Sequence, residues 1–276
     1  MTVHPALSSG NVAVITGGAS GIGLAAAKRF AALGLRVCIA DANPDALDKA
    51  GAELGDAGLA VRVDVSDRGS VEALADRVAA ELGAVSVLMN NAGVGGGGDA
   101  LSNPDGWLRV LGVNLMGIVN GTQVFGPAMA EGGAPGLIIN TGSKQGVTCP
   151  PGDTAYNVSK AGVKALTEGL AHTLRNRPGC QVSAHLLIPG FTYTGMIAAR
   201  VPQQPPGACT PDQVVDRLLE GIARGEFYIW CEDNETPRAL DEKRVLWNAH
   251  DIVENRPALS RWHPDWKDRF EAFVKG

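Results

Sequence analysis

No stretch of this 276-residue chain approaches the roughly 20 consecutive apolar side chains that cross a bilayer, so no membrane contact of that kind is expected. Basic runs are missing, as is any interleaving of aromatic with basic residues. With 24 Lys and Arg against 29 Asp and Glu, the net charge is −5, which argues against nucleic acid and anionic membranes as partners. The cysteines Cys38, Cys149, Cys180, Cys209 and Cys231 are odd in number and scattered, and the histidines show no ligand spacing. Reduced thiols in a cytoplasmic protein fit this usage better than a disulfide frame or a zinc site, and no metal is expected. Met1-Thr2-Val3-His4-Pro5 offers neither a charged leader nor an apolar core for a secretory signal. Repeats and long low-complexity segments are also lacking.

What is present is a core-forming apolar content of 45% and a regular alternation of short β-like and longer helix-like segments. The strand candidates are 12–15, 35–40, 59–63, 85–89, 137–140, 182–188 and 227–230. Helical spacing marks 22–33, 44–54, 71–82, 104–129, 153–175 and 211–224. The pattern predicts an α/β fold: a doubly wound, Rossmann-type parallel sheet of about seven strands with helices on both faces. One domain over 1–230 is expected, with a C-terminal extension over 231–276. In the extension, Pro264 opens a helix with Trp266, Phe270 and Phe273 on one face, which docks on the protein's own surface or on a neighbouring subunit; Trp247 and Trp262 point to a tail that shapes a pocket.

The organising stretch is Asn11 to Gly34. A buried-type strand feeds Thr16-Gly17-Gly18-Ala19-Ser20-Gly21-Ile22-Gly23, and a helix follows at once. Glycines there permit a tight turn and close backbone approach, while the helix start offers free N–H groups to a pyrophosphate. Asp41 ends the next strand, about 20 residues on, where a carboxylate meets the adenosine ribose of a dinucleotide. Asp41 suits two ribose hydroxyls and repels a 2′-phosphate, and Ala19, Ala42 and Asn43 supply no cation. NAD rather than NADP is therefore expected. The glycine run Gly95 to Gly98 reads as a flexible loop, with active-site breathing as the sharper option.

These residues resemble the short-chain dehydrogenase/reductase family over roughly 12–230. Thr16 to Gly23 is similar to its TGxxxGxG signature, Asn90-Asn91-Ala92-Gly93 to NNAG, and Tyr156-Asn157-Val158-Ser159-Lys160 to YxxxK. Ser143 stands thirteen residues before Tyr156, Asn114 lies in Val113-Asn114-Leu115, and Pro189-Gly190 is followed by Thr194. The resemblance implies an NAD-dependent oxidoreductase that interconverts a secondary alcohol and a ketone, with Ser143, Tyr156, Lys160 and Asn114 as catalytic residues. It implies cofactor contacts from Gly17, Ser20, Gly21, Ile22, Gly23, Asp41, Asp64, Val65, Asn91, Tyr156, Lys160, Thr192, Thr194 and Met196. It also implies a homodimer or homotetramer acting on a small-molecule alcohol or ketone.

Tyr156 and Lys160 are four apart on a helix and share a face, so the ammonium, together with the positive nicotinamide of an oxidised cofactor, is expected to lower the phenol toward use as a base. Asn114 either holds a water that relays protons from Lys160 or merely kinks its helix. Asp64 could be a turn residue and Asn91 a strand-end hydrogen bonder. The segment 191–211 reads as a mobile lid, its prolines excluding a long helix. Lys144 and Gln145 either meet a polar or acidic substrate, or Lys144 points to solvent or pairs with a nearby acid. A non-catalytic dinucleotide-binding regulator on the same fold is the alternative reading.

Overall fold

The computed structural model describes residues 4–198 and 201–276. Met1 to Val3 of the amino end and Ala199 and Arg200 of the lid segment lie outside the described residues. The strands are β1 (Val12–Thr16), β2 (Arg36–Asp41), β3 (Gly58–Arg62), β4 (Val85–Asn90), β5 (Gly136–Thr141), β6 (Val182–Ile188) and β7 (Tyr228–Trp230). They form one parallel sheet in the order β3-β2-β1-β4-β5-β6-β7. The order reverses direction between β1 and β4. Crossovers to either side of this point leave a crevice at the strands' carboxyl ends, which is where such sheets bind ligands.

The helices are α1 (Gly21–Ala32), α2 (Pro44–Leu54), α3 (Arg68–Glu81), α4 (Pro104–Leu111), α5 (Gly117–Glu131), α6 (Gln145–Thr148), α7 (Thr154–Arg175), α8 (Gly195–Ala198), α9 (Pro211–Ala223), α10 (Arg238–Val253) and α11 (Lys267–Lys275). Alternate strand residues feed separate cores. Ile15, Ile39, Met89, Ile139 and Ile229 pack with α1, α2 and α9. Val14, Cys38, Leu88 and Ile138 pack with α3, α5 and α7. Burial on both faces explains why the strands read as continuous apolar runs rather than as alternation.

The expected single helix over 104–129 is interrupted. Gly112–Met116 forms a π-helical turn between α4 and α5, with Asn114 fully buried inside it. Helix α10 has no counterpart in the sequence reading. Its buried side chains are Asp241, Trp247 and Asp251, so its inner face carries carboxylates and one indole instead of an apolar stripe.

The tail folds around that indole. Trp266, Phe270 and Phe273 place their ring centroids 6.2, 5.4 and 5.2 Å from Trp247. The Trp247 Nε1–H donates to Ser260 Oγ at 2.7 Å, and Arg256 stacks 4.4 Å from the indole. Trp247 is 3% exposed, and truncating a core indole costs about 3–5 kcal/mol. Trp247→Ala is therefore expected to make the 231–276 segment sensitive to limited proteolysis while NAD binding persists. Unchanged protease resistance would show that the segment is held by something else.

Candidate active site

The cleft at the β1/β4 switch has a volume of about 950 Å³ and runs from Asp41 past the glycine turn to Ser143, Tyr156 and the tail residues Arg244, Arg261 and Trp262. Its cofactor half is shaped by backbone proximity. A Cβ at Gly23 would lie 2.1 Å from Gly17 O, so only glycine lets the first turn of α1 fold back on the loop. Ser20 is the N-cap of α1 but makes no side-chain capping bond, leaving its hydroxyl for a ligand beside the helix start. Gly17, Gly21 and Ile22 line the same wall.

Asp41 is fixed by two main-chain donors: Ala19 N–H to Oδ2 at 3.2 Å and Asn43 N–H to Oδ1 at 3.0 Å. Asp64 Oδ1 accepts from Ser66 N–H at 2.9 Å and Ser66 Oγ–H at 2.6 Å, as a turn residue would, yet it lines the cleft together with Val65. Asn91 donates from Nδ2 to Thr16 O (3.3 Å) and Gly17 O (3.2 Å), which ties β4 to the glycine turn. Asn91 also remains on the cleft wall.

The other half of the cleft, where Ser143, Tyr156 and Lys160 lie, is carried by α7 and the loop after β5. Asp153 caps α7, its Oδ1 accepting from Tyr156 N–H at 3.1 Å. Its other oxygen accepts from Gly96 N–H (2.8 Å) and Gly97 N–H (3.2 Å). Arg109 and Asn103 donate to the carbonyls of the same run, at 2.9 Å to Gly95 O and 3.2 Å to Gly96 O. The flexible loop expected at Gly95 to Gly98 is thus a pinned one, held by Asn103 and Arg109 downstream and by Asp153 more than fifty residues away. Asp153 is the residue that sequence reasoning missed here. Its signal was its place at the N-cap position directly before the YxxxK helix.

Gly146 lets α6 rest on α7, since a Cβ there would meet Lys160 C at 2.5 Å. This contact sets the Ser143 loop beside Tyr156. Burial pushes the Tyr156 phenol above its ordinary value, with the facing Ser143 hydroxyl opposing and the Asp153 carboxylate adding to the rise. Burial brings the Lys160 ammonium down to about 8. On balance, burial thus leaves the phenol above its ordinary value, not below it as the spacing alone predicts. Lys160 Nζ donates to Thr141 O at 2.7 Å and sits 5.8 Å from the Tyr156 ring centroid.

Asn114 holds the backbone of Val94 in both directions: its Oδ1 accepts from Val94 N–H at 2.7 Å, and its Nδ2 donates to Val94 O at 2.9 Å. A further Nδ2 bond reaches Ser159 Oγ at 3.2 Å. Asn114 Oδ1 and Lys160 Nζ flank Gly93, at 3.5 and 3.7 Å from the point a Cβ there would occupy.

The segment after β6 lies across the cleft. Thr192 bridges to Cys209, and its Oγ1–H donates to Gly190 O at 3.2 Å. Thr194 Cγ2 lies 3.1 Å from where a Gly21 Cβ would be, and Met196 Sδ 3.5 Å from where a Gly95 Cβ would be. Lys144 pairs with Asp241 Oδ2 at 2.5 Å and with Asp233 Oδ2 at 3.2 Å. Gln145 lines the cleft beside it. Trp262, named with Trp247 as a residue of a pocket-shaping tail, lines the cleft, whereas Arg244 and Arg261 were not among the expected site residues.

The residues fit a dinucleotide. Lys160 is a buried ammonium with three donor hydrogens and one protein acceptor, which suits further acceptors such as ribose hydroxyls. Asp41 presents a fixed carboxylate, and the glycine turn is a cradle that a Cβ would fill. No group of three or more His, Cys, Asp or Glu that could hold a metal occurs among the described residues.

The short chain dehydrogenase family model matches residues 11–205. A 1-deoxy-11-beta-hydroxypentalenate dehydrogenase of Streptomyces exfoliatus is 33% identical, over 91% of this chain and 93% of that protein. A meso-2,3-butanediol dehydrogenase of Serratia marcescens is 35% identical, over 78% of this chain and 80% of that protein. The crystal structure of a short chain dehydrogenase/reductase from Burkholderia phymatum in complex with NAD superposes with a TM-score of 0.81 at 36% identity, covering 90% of this chain and 96% of that one. With that fold, that glycine turn and that carboxylate, the chain belongs to the short-chain dehydrogenase/reductase family and is an NAD(H)-dependent oxidoreductase acting on secondary alcohols.

Proposed function

We propose that Tyr156 is the general acid/base of this enzyme, exchanging a proton with the alcohol oxygen while the neighbouring carbon is oxidised. The observation that carries the reading is the arrangement at the catalytic half of the cleft. A phenol faces a serine hydroxyl there, and a buried ammonium with spare donors lies one helical turn along α7. When bound, NAD accepts the hydride from the alcohol carbon, and NADH returns one to a ketone carbon.

In oxidation, the Tyr156 phenolate takes the hydroxyl proton, the C–H pair leaves as hydride, and the carbon–oxygen bond becomes a carbonyl. Ser143 holds the substrate oxygen in line with the phenol. Lys160 contributes positive charge beneath the site, and because burial and the Asp153 carboxylate together raise the phenol, the positive charge that an oxidised nicotinamide would supply there would further favour the phenolate. Asn114 is a positioning residue for the Val94 segment, and the π-turn around it offers a point where water could pass protons from Lys160 to solvent. The lid role of 191–211 belongs to the same reading, supported by Thr194 and Met196 reaching across to the glycine loops.

The test is the pH profile of kcat/KM at saturating cofactor. Alcohol oxidation needs the phenolate and should rise roughly tenfold per pH unit below the phenol's value, whereas ketone reduction needs the phenol and should fall on the far side. Lys160→Met should move the oxidation limb to higher pH. Oxidation independent of pH across the range where a phenol titrates would rule Tyr156 out. A cytoplasmic homodimer or homotetramer is part of the same proposal. It is supported by five free thiols and by the exposed Leu101, Leu108 and Met116 near α4, and light scattering reads the assembly.

A further inference from the structure

One corner of the cleft is built by residues distant in sequence: Lys144 after Ser143, Asp233, and the tail residues Asp241, Arg244, Arg261 and Trp262. Both carboxylates are already committed. Asp241, 3% exposed, is ion-paired with Lys144 and accepts from Arg244 Nη1 at 3.1 Å and from the Trp230 indole N–H at 3.1 Å. Asp233 takes Lys144 at 3.2 Å and the Phe191 N–H at 2.6 Å. Three cations thus face two carboxylates, and the excess falls on the arginines.

Arg244 Nε is buried without an acceptor. Arg261 has no carboxylate within ion-pair distance among the described residues. Its guanidinium is instead held by ring faces, 4.7 Å from the Trp262 centroid and 5.2 Å from that of Phe270. Stacking of this kind orients a guanidinium and leaves the N–H donors in its plane free for a planar oxyanion. Burial and the neighbouring Arg244 charge bring Arg261 down to about 10, with Asp241 opposing. It stays charged at neutral pH in a place where a further anion would be stabilising.

We infer that the substrate is a secondary alcohol or ketone bearing a carboxylate, and that Arg261, backed by Arg244, receives that carboxylate in the corner beside Lys144. This rests on the reading of the cleft as the alcohol site. The tail then sets specificity: it brings two arginines to a pocket whose reacting groups come from the α/β domain. Lys144 is spoken for by Asp233 and Asp241 and serves to fix the corner rather than to meet the substrate.

The experiment compares matched acid and amide probes on the full chain with NAD(H). The reacting pair is 4-hydroxycyclohexanecarboxylate and its carboxamide, followed by NADH formation. The non-reacting pair is cyclohexanecarboxylate and cyclohexanecarboxamide, followed by calorimetry on the NADH-loaded protein. A buried charge-assisted contact is worth about 10- to 100-fold. The acid should lead by that factor in kcat/KM, through KM, and in binding. In Arg261→Gln the acid-to-amide ratio should collapse toward one, and Arg261→Lys should restore part of it. Equal use and equal binding of each pair by the unmodified protein would overturn the inference, with no need of a variant. So would an Arg261→Gln enzyme that folds and keeps the full ratio. Acid-selective binding with no NADH from any alcohol would defeat the alcohol reading and leave the anion site standing, whereas NADH formation with no acid preference would defeat the anion site alone.

Discussion

Replacing Tyr156 by phenylalanine is expected to lower kcat by about 10²- to 10⁴-fold, the range supplied by a positioned acid/base group, while the dissociation constant for NAD changes little. The change removes one oxygen. The phenol's partner among the side chains is the Ser143 hydroxyl, and the helix around it is held by Asp153 at the cap and by Ala155 and Lys160 in the core. Nothing in that support uses the phenol oxygen, so folding should be spared and the loss should read as chemistry. Rapid-mixing kinetics would separate the cases, since a slow hydride step with normal cofactor binding is the expected pattern. Turnover within a few-fold of the unmodified enzyme would leave Ser143 or a bound water as the base and would require the pH profile to be reassigned.

The contrast between what the chain announces and what it conceals has a physical origin. Strands β1, β2, β4, β5 and β6 are largely buried on both faces, so apolar runs mark them to within about two residues, and glycine or polar punctuation falls at their carboxyl ends. Tyr156 and Lys160 are legible because helical spacing is local. The corner around Asp241 is not, because its logic is charge against charge between β5's following loop and the tail: Lys144 and Arg244 pair with Asp241, and Arg261 is left without a carboxylate among the described residues. Helix α10 buries carboxylates where periodicity looks for leucines. The Gly95 to Gly98 run shows the reverse error. Its composition signals freedom, yet Asp153, Arg109 and Asn103 remove that freedom with bonds no local pattern reveals. The direction of the phenol's shift was also hidden, since burial depends on everything packed around it and not on the nearest lysine alone.

Cofactor choice should show the second large effect. The unmodified enzyme is expected to favour NAD over NADP by roughly two orders of magnitude in kcat/KM. The Asp41 carboxylate is held by Ala19 and Asn43 N–H groups and cannot easily swing away, so an incoming 2′-phosphate would meet a fixed negative charge. At about 5 Å and an effective dielectric near 20, each unit of like charge costs about 3 kcal/mol, and about 1.4 kcal/mol is a factor of ten. Among the described residues no cation offsets this at the rim: the neighbours are Ala42 and Asn43, and Arg62, across the ladder from Asp41, does not line the cleft. Asp41→Ala with Ala42→Arg should therefore remove the repulsion and supply a partner for the phosphate, bringing the two cofactors to parity or beyond. The carboxylate also ties the glycine turn to β2, so the single Asp41→Asn variant, which keeps an acceptor for Ala19 N–H, separates loss of charge from loss of shape. If Asp41→Asn alone relaxes the preference while NAD affinity falls only a few-fold, repulsion is the discriminating force; equal use of both cofactors by the unmodified enzyme would show that the 2′-phosphate avoids Asp41 altogether.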